Sequence, residues 1–334
     1  MTVPARATGL DEASRHLELI ADKLEATEEV FRRCLASDVA FIEQAGDYIF
    51  AGGGKRMRPA LVLLTAQLLE RDSDEEVTYA AVVELIHNAT LVHDDIIDNA
   101  TLRRGQPPVN RVWGNSKTVL LGDWLYTTAM QMALSHGNLE IVRRLCAATL
   151  RMTEGELLSL ERQSSIRLTA SEYFDIIDRK TADLFAAASS VPALMAPARP
   201  ALDAALRRYG RALGICFQLV DDLLDFTARE SELGKPVLSD LREGKLTLPL
   251  ILVLERGGLD RQRLIATVLE DRAFTRVAAP EVLELVRAEG TLEEVREMAR
   301  GYADRAREEL GDLPPSDARE ALELAPDFVL NRGH

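Results

Sequence analysis

The chain has 334 residues, of which 54 are acidic and 40 basic, giving a formal net charge of −14 and a pI near 5.0, which argues against nucleic acid as a partner. A composition of 47% hydrophobic and 28% charged residues is globular and excludes disorder as the main state. No apolar run approaches the roughly 18 residues of a membrane-spanning helix, and the start, MTVPARATGLDEA, reads as neither a signal nor a transit peptide, so a cytoplasmic location is expected.

Apolar residues three and four apart predict helices over 11–34, 36–50, 59–70, 76–97, 117–135, 139–163, 171–190, 201–226 and 292–310. Sustained two-residue alternation is missing, so the expected fold class is all-α. Gly and Pro gather at AGGGKRMRP (51–59), RRGQPP (103–108), PALMAPARP (192–200) and ELGKPVLSDLREGK (232–245), where breaks are expected. None of these is long enough for an interdomain linker. The expectation is one domain over 1–334, with a motif core at about 50–250 and acidic, amphipathic packing helices at about 255–334. Cys34, Cys146 and Cys216 are odd in number and far apart, which suits neither disulfides nor zinc, and they read as three buried small hydrophobes.

Two acidic patterns share one spacing. LVHDDIIDNATLRRG contains Asp94, Asp95 and Asp98, and FQLVDDLLDF contains Asp221, Asp222 and Asp225 with Gln218 one turn earlier. Residues three and four apart on a helix project to one side. Both triplets sit among apolar neighbours (Leu91, Val92, Ile96 and Ile97; Leu219, Val220, Leu223 and Leu224), unlike a solvated acidic face. Two like charges 4 Å apart repel by about 4 kcal/mol at an effective dielectric of 20, so carboxylates at this density need protons or cations. Oxygen-only ligands select hard cations, and Mg²⁺ in particular combines one or two carboxylates with water and substrate phosphates.

The cations form a complementary set. Of the 40 basic residues, 34 are Arg, so the six lysines stand out; a compact ammonium suits a phosphate oxygen in a tight space. Lys55, Arg56 and Arg58 follow three glycines and precede Pro59, which is read as starting a helix. Arg103 and Arg104 follow the first acidic pattern, Lys180 and Thr181 lie in DRKTADLF, and Lys235 and Lys245 flank the Gly-containing loop after the second. About six aspartates and about six cations suit a protein that holds more than one polyphosphate. A rival reading takes His87, His93 and Asp94 as a metal-dependent phosphohydrolase arrangement, but it leaves the second acidic pattern and the basic set idle. His93 beside a carboxylate reads equally well as a hydrogen-bonded structural residue.

The ordered motifs GGGKRMRP, HDDIIDNATLRRG, RKTADLF, FQLVDDLLDF and GK…DLREGKLTLP resemble those of the trans-isoprenyl diphosphate synthases, the polyprenyl synthetase family, from about residue 50 to 250. The resemblance implies an isoprenoid synthase fold: a helical bundle around a deep central cavity, in a homodimer, with the aspartate motifs facing each other. It implies Mg²⁺ on Asp94, Asp98 and Asp221, with Asp95, Asp222 and Asp225 completing the acidic rims. Arg103, Lys180, Thr181, Gln218, Lys235 and Lys245 match the family's allylic-diphosphate contacts, and Lys55, Arg58, His87 and Arg104 its isopentenyl-diphosphate contacts. Two departures are Leu238, where members commonly carry Gly, and Asn110, near which many have His.

The implied reaction adds isopentenyl diphosphate units to an allylic prenyl diphosphate. Ala89 and Thr90, five and four residues before Asp94, are small where short-chain members commonly carry an aromatic floor. They match octaprenyl- and decaprenyl-type synthases and imply a product beyond C20, of quinone side-chain type, with release helped by transient membrane contact. The plainer alternative is that Ala89 permits close helix packing. A shorter-chain synthase, a non-catalytic synthase subunit and a terpene cyclase are the alternatives; the subunit is expected to lose aspartates, and the cyclase does not need the second cationic set.

Overall fold

A computed structural model describes residues 18–195, 199–227 and 237–332. Among these residues there is no strand, and the sole extended pairing is an isolated bridge between Arg103 and Gln106. In chain order the helices are α1 (Ala21–Cys34), α2 (Ala40–Ala51), α3 (Met57–Leu68), α4 (Asp74–Ile97), α5 (Val109–Trp113), α6 (Asn115–Leu134), α7 (Leu139–Arg162), α8 (Ala170–Ile177), α9 (Asp183–Leu194), α10 (Pro200–Thr227), α11 (Ser239–Arg242), α12 (Leu248–Glu255), α13 (Leu259–Asp271), α14 (Ala279–Ala288), α15 (Thr291–Glu308) and α16 (Asp317–Leu330). A π-helical turn, Asp178–Ala182, joins α8 to α9.

Helix α4 is the central column. Ser73 and Glu76 form a reciprocal capping box at its start, and the buried Glu76 carboxylate also takes the Lys23 ammonium of α1 at 2.5 Å. Every residue from Tyr79 to Ile86 is buried, so this middle stretch of α4 is enclosed on all sides. Each large side chain so buried contributes roughly 1.5–3 kcal/mol. Helix α4 packs against α1, α3 and α6, whereas α10 packs against α9 and α15. Helix α9 touches both α4 and α10, and α3 touches α4, α9 and α16. The two aspartate-bearing helices are therefore linked through α9 and the turn that precedes it.

The predicted helices recur with three instructive differences. The 171–190 segment is interrupted by the π-turn. The break expected around Pro192 falls later, because Pro192 lies inside α9, which runs on to Leu194. Helix α3 starts at Met57 rather than Pro59, after Arg56 turns the chain at φ 47°. Helix α12 had no periodic signal because its residues from Leu248 to Leu254 are all buried. Residues before 18 in the predicted 11–34 helix lie outside the described ones.

The cysteine expectation needs correction. Cys216 is buried, but Cys34 is half-buried and Cys146 is exposed on α7. Leu150 and Leu157 of the same helix are exposed as well, so Cys146 belongs to an apolar outer face and not to the core. Among the described residues no helix is long and apolar enough to cross a membrane.

Candidate active site

The first aspartate motif ends α4, with Asp98 as its C-cap. Lys180 Nζ lies 3.7 Å from Asp94 Oδ2 and pairs more closely with Glu156 of α7. Lys245 Nζ lies 2.7 Å from Asp98 Oδ2, and Arg103 donates Nε to Asp95 Oδ1 at 2.8 Å. Burial, with the charges of Glu156 and Asp98 acting the same way, pushes the Asp94 carboxyl up to about 6 despite the opposing Lys180 and Lys245. Asp98 Oδ1 is buried and accepts no hydrogen bond.

The second motif has the same spacing in a different setting. Asp222 accepts from Tyr173 Oη at 2.5 Å and from Gln218 Nε2 at 2.7 Å. Burial, reinforced by Asp240, raises its carboxyl to about 8 against these bonds. Asp225 accepts from Ser239 N at 3.1 Å, Ser239 Oγ at 2.7 Å and Asp240 N at 3.2 Å, and so anchors the start of α11. Just before α11, Leu238 sits at φ 56°, a conformation disfavoured for a side chain bearing Cβ. Its burial and the bond from its N–H to the Asp225 carbonyl (2.8 Å) hold it there. This is the position where the family commonly has Gly. Asp221 is half-exposed and faces Arg332 Nη2 at 3.6 Å.

The π-turn connects the motifs. Lys180 faces Asp94, while its neighbour Thr181 donates its hydroxyl to Gln218 Oε1 at 2.8 Å, and Gln218 continues to Asp222. Lys180, Thr181, Gln218 and Lys245 are thus brought together with both motifs; Lys235 lies outside the described residues.

The second cationic set lies beyond Asp221. The Arg58 guanidinium stacks 4.5 Å from the Phe185 ring, that of Arg332 stacks 4.3 Å from Phe217, and the two rings are 5.3 Å apart. Arg58 Nε and Arg332 Nε and Nη1 are buried donors without partners. Burial draws Arg58 down to about 10, so it stays charged at neutral pH. Lys55 sits 5.5 Å over Phe328 of α16. Burial, seconded by Arg58, Arg104 and Arg103, holds His87 well below its usual range, so its imidazole is neutral. Arg104 is exposed, against the backbone of Gly54, where an added Cβ lies 3.1 Å from its guanidinium.

Arg332, Glu156 and Tyr173 were missed by sequence reasoning. Arg332 follows the last helix without a motif around it. Glu156 reads as one of several acids on α7, and Tyr173 as a core aromatic. His93 leaves the phosphohydrolase arrangement: its Nε2 meets Val119 O of α6 at 3.1 Å, away from His87, and it occupies the space that a Cβ on Gly122 requires. Ala89 is buried, and Thr90 is half-buried with its hydroxyl on His87 O at 2.8 Å. At about 100° per residue, Thr90 lies within about 40° of Asp94 around α4, whereas Ala89 lies about 140° away, on the side of His93 and α6.

Among the described residues no three His, Cys, Asp or Glu side chains converge closely enough to enclose a metal. The donor set nonetheless suits a hard cation that takes its remaining ligands from water and substrate: oxygen donors only, with the buried Asp98 Oδ1 unused. Opposed to it are guanidinium and ammonium groups placed for anions. The arrangement can bind two anionic groups and stabilise negative charge as it develops between them.

The polyprenyl synthetase family model matches residues 39–286. Octaprenyl diphosphate synthase of Escherichia coli is 40% identical over 305 residues, covering 91% of this chain and 94% of that protein. A short chain isoprenyl diphosphate synthase of Methanothermobacter thermautotrophicus is 38% identical over 296 residues, covering 87% and 90%. Among solved structures, a polyprenyl synthase from Caulobacter crescentus, complexed with calcium and isoprenyl diphosphate, superposes with a TM-score of 0.92 at 37% identity, over 96% of this chain and 98% of that one. The chain belongs to the polyprenyl synthetase family.

Proposed function

We propose that this protein is a Mg²⁺-dependent trans-prenyltransferase that adds successive isopentenyl diphosphate units to an allylic prenyl diphosphate, making a long-chain all-trans polyprenyl diphosphate for a quinone side chain. The observation that carries this reading is the presence of two separate cationic groups, each beside an aspartate motif: Lys180 and Lys245 among the carboxylates of the first, and unpartnered donors on Arg58 and Arg332 beside the second. Asp94, Asp98 and Asp221 would hold Mg²⁺, which supplies charge neutralisation to the leaving diphosphate.

Lys180 and Lys245, now spent on Asp94, Asp98 and Glu156, turn to the allylic diphosphate as it binds, with Arg103, Thr181 and Gln218 around it; Lys235 is assigned to the same group by the motif resemblance alone. They stabilise the charge that grows as the C1–O bond breaks. Lys55, Arg58, Arg104 and Arg332 grip the isopentenyl diphosphate, and neutral His87 donates one N–H to it. The isopentenyl double bond then attacks C1, and loss of a proton restores an alkene five carbons longer. The Phe185–Phe217 pair beneath the guanidinium groups offers an apolar wall that keeps water from the cation.

The long-chain assignment rests on the small Ala89 and Thr90, since relatives of both short and long product sit at similar identity. A homodimer belongs to the same proposal. Leu120 of α6 and Leu150 and Leu157 of α7 are 67%, 63% and 57% exposed, and a second copy would cover them. So does cytoplasmic work as a single domain on water-soluble anions. Pyrophosphate release tests the reaction. It is expected to need allylic substrate, isopentenyl diphosphate and Mg²⁺ together; release from the allylic substrate alone would mark a cyclase and overturn the reading.

A further inference from the structure

Lys180 and Thr181 do not sit on a plain α-helix. Their five-residue turn, Asp178–Ala182, is π-helical, a rare geometry that fits one extra residue into the helix and occurs mostly as single turns. Removing that residue would rotate α9 by about 100° relative to α8. Lys180 and Thr181 would then lose their respective partners, Asp94 and Gln218. What holds the extra residue in place is therefore a functional matter.

Four charged residues close a ring around this turn. Asp178 opens the turn and Asp183 follows it. Arg211 of α10 donates Nε and Nη2 to Asp178, the latter at 2.6 Å, and Nη2 to Asp183 at 3.2 Å. Arg151 of α7 donates Nη2 to Asp178 at 3.1 Å and Nε to Asp183. Each arginine grips both aspartates, so the signs alternate around the ring and both ends of the turn are tied to two neighbouring helices. The planar fork of Arg suits this double grip, which an ammonium does not reproduce.

The same two helices press on the turn through glycines. A Cβ on Gly155 of α7 would lie 2.8 Å from Arg179 Cβ and Lys180 N, and one on Gly214 of α10 would lie 2.7 Å from Ala182 Cα. The backbones of α7 and α10 thus flank the turn at close range, while Arg151 and Arg211 from these helices fasten it.

We propose that the Asp178–Arg151–Asp183–Arg211 ring is a positioning device for the allylic-diphosphate subsite: it locks the π-turn so that Lys180 stands against the first aspartate motif while Thr181 stands against the second. The four are positioning residues; Lys180 and Thr181 meet the substrate. The inference rests on the function proposed above.

The test is steady-state kinetics and thermal melting of Arg211→Gln, Asp178→Asn, their double variant and Arg211→Lys. Each neutral single variant should raise the KM for farnesyl diphosphate about tenfold and leave the KM for isopentenyl diphosphate within about twofold. The double variant should be no worse than the worse single, since both open one ring. Arg211→Lys, which keeps the charge without the fork, should lose about threefold. Equal changes in both KM values, additive losses, or a lowered melting temperature with both KM values unchanged would each overturn the proposal. If the neutral variants fail to fold, Arg211→Lys alone decides by the same split between the two KM values. Wild-type protein that elongates nothing would instead overturn the proposed function.

Discussion

The two aspartate motifs have the same spacing and lead different lives. In the first, Asp94 and Asp98 face the ammonium groups of Lys180 and Lys245, partners on long flexible stems that can move to a substrate. In the second, Asp222 is held by Tyr173 and Gln218, and Asp225 by the backbone and hydroxyl at the start of α11. Asp221 alone of that triplet is half-exposed and faces the second cationic set. Equal spacing therefore does not mean equal surroundings: two carboxylates of the first motif meet mobile ammonium groups, whereas the second ties two carboxylates into the scaffold and turns one outward.

The hardest way to break this contrast is to remove the proposed metal-holding carboxylate from each motif. Asp94→Ala and Asp221→Ala should each cut turnover by roughly 1,000-fold or more, with little change in melting temperature. Near-normal rates at saturating Mg²⁺ would contradict the assignment. Dividing the cations comes next. Arg58→Ala or Arg332→Ala should raise the KM for isopentenyl diphosphate by about 100-fold, because each removes buried charged donors, while Lys180→Ala should mainly impair the allylic substrate.

Asp225→Ala sharpens the comparison from the scaffold side. Losing three hydrogen bonds at α11 should cost about 2–3 kcal/mol, seen as a melting temperature lower by about 5 °C. Its turnover should fall far less than that of Asp221→Ala.

Product length probes the region below the first motif. Ala89→Phe and Thr90→Phe should both shorten the product, but by different routes. Thr90 lies nearly under Asp94, so a ring there blocks the tail directly. At Ala89 a ring must first displace α6, and its melting temperature should drop more. Identical length distributions from both variants and wild type would place the floor elsewhere.

The smallest effect lies at the far end of α4, away from both motifs. Burial alone raises Glu76, but bonds from Lys23 and Ser73 outweigh it and hold its carboxyl below the ordinary 4.5. The folded chain thus releases this proton more readily than the unfolded one. The resulting stability is present above pH 4.5 and is lost as pH falls through the lower folded value. Glu76→Gln should melt earlier at pH 7 and show a flatter loss below pH 4.5, with turnover unchanged.

Much of this was legible in the sequence because apolar periodicity and motif order survive without context. The spacing of the aspartates and the two helices that bear them read directly. The π-turn was not legible, since DRKTADLF has no local feature separating a π-turn from an α-turn; the ring of charges from α7 and α10 that holds it is long-range. Arg332 escaped because it acquires meaning from Phe217 and Asp221, 115 and 111 residues earlier. Cys146 was misread because burial was inferred from residue type, and an outer apolar face defeats that inference.

Sizing the product tests the central claim most directly. Purified protein with labelled isopentenyl diphosphate, farnesyl diphosphate and Mg²⁺, in detergent to relieve release of a poorly soluble product, should yield polyprenyl chains longer than C20. Chains that stop at C15 or C20, or no elongation at all, would contradict it.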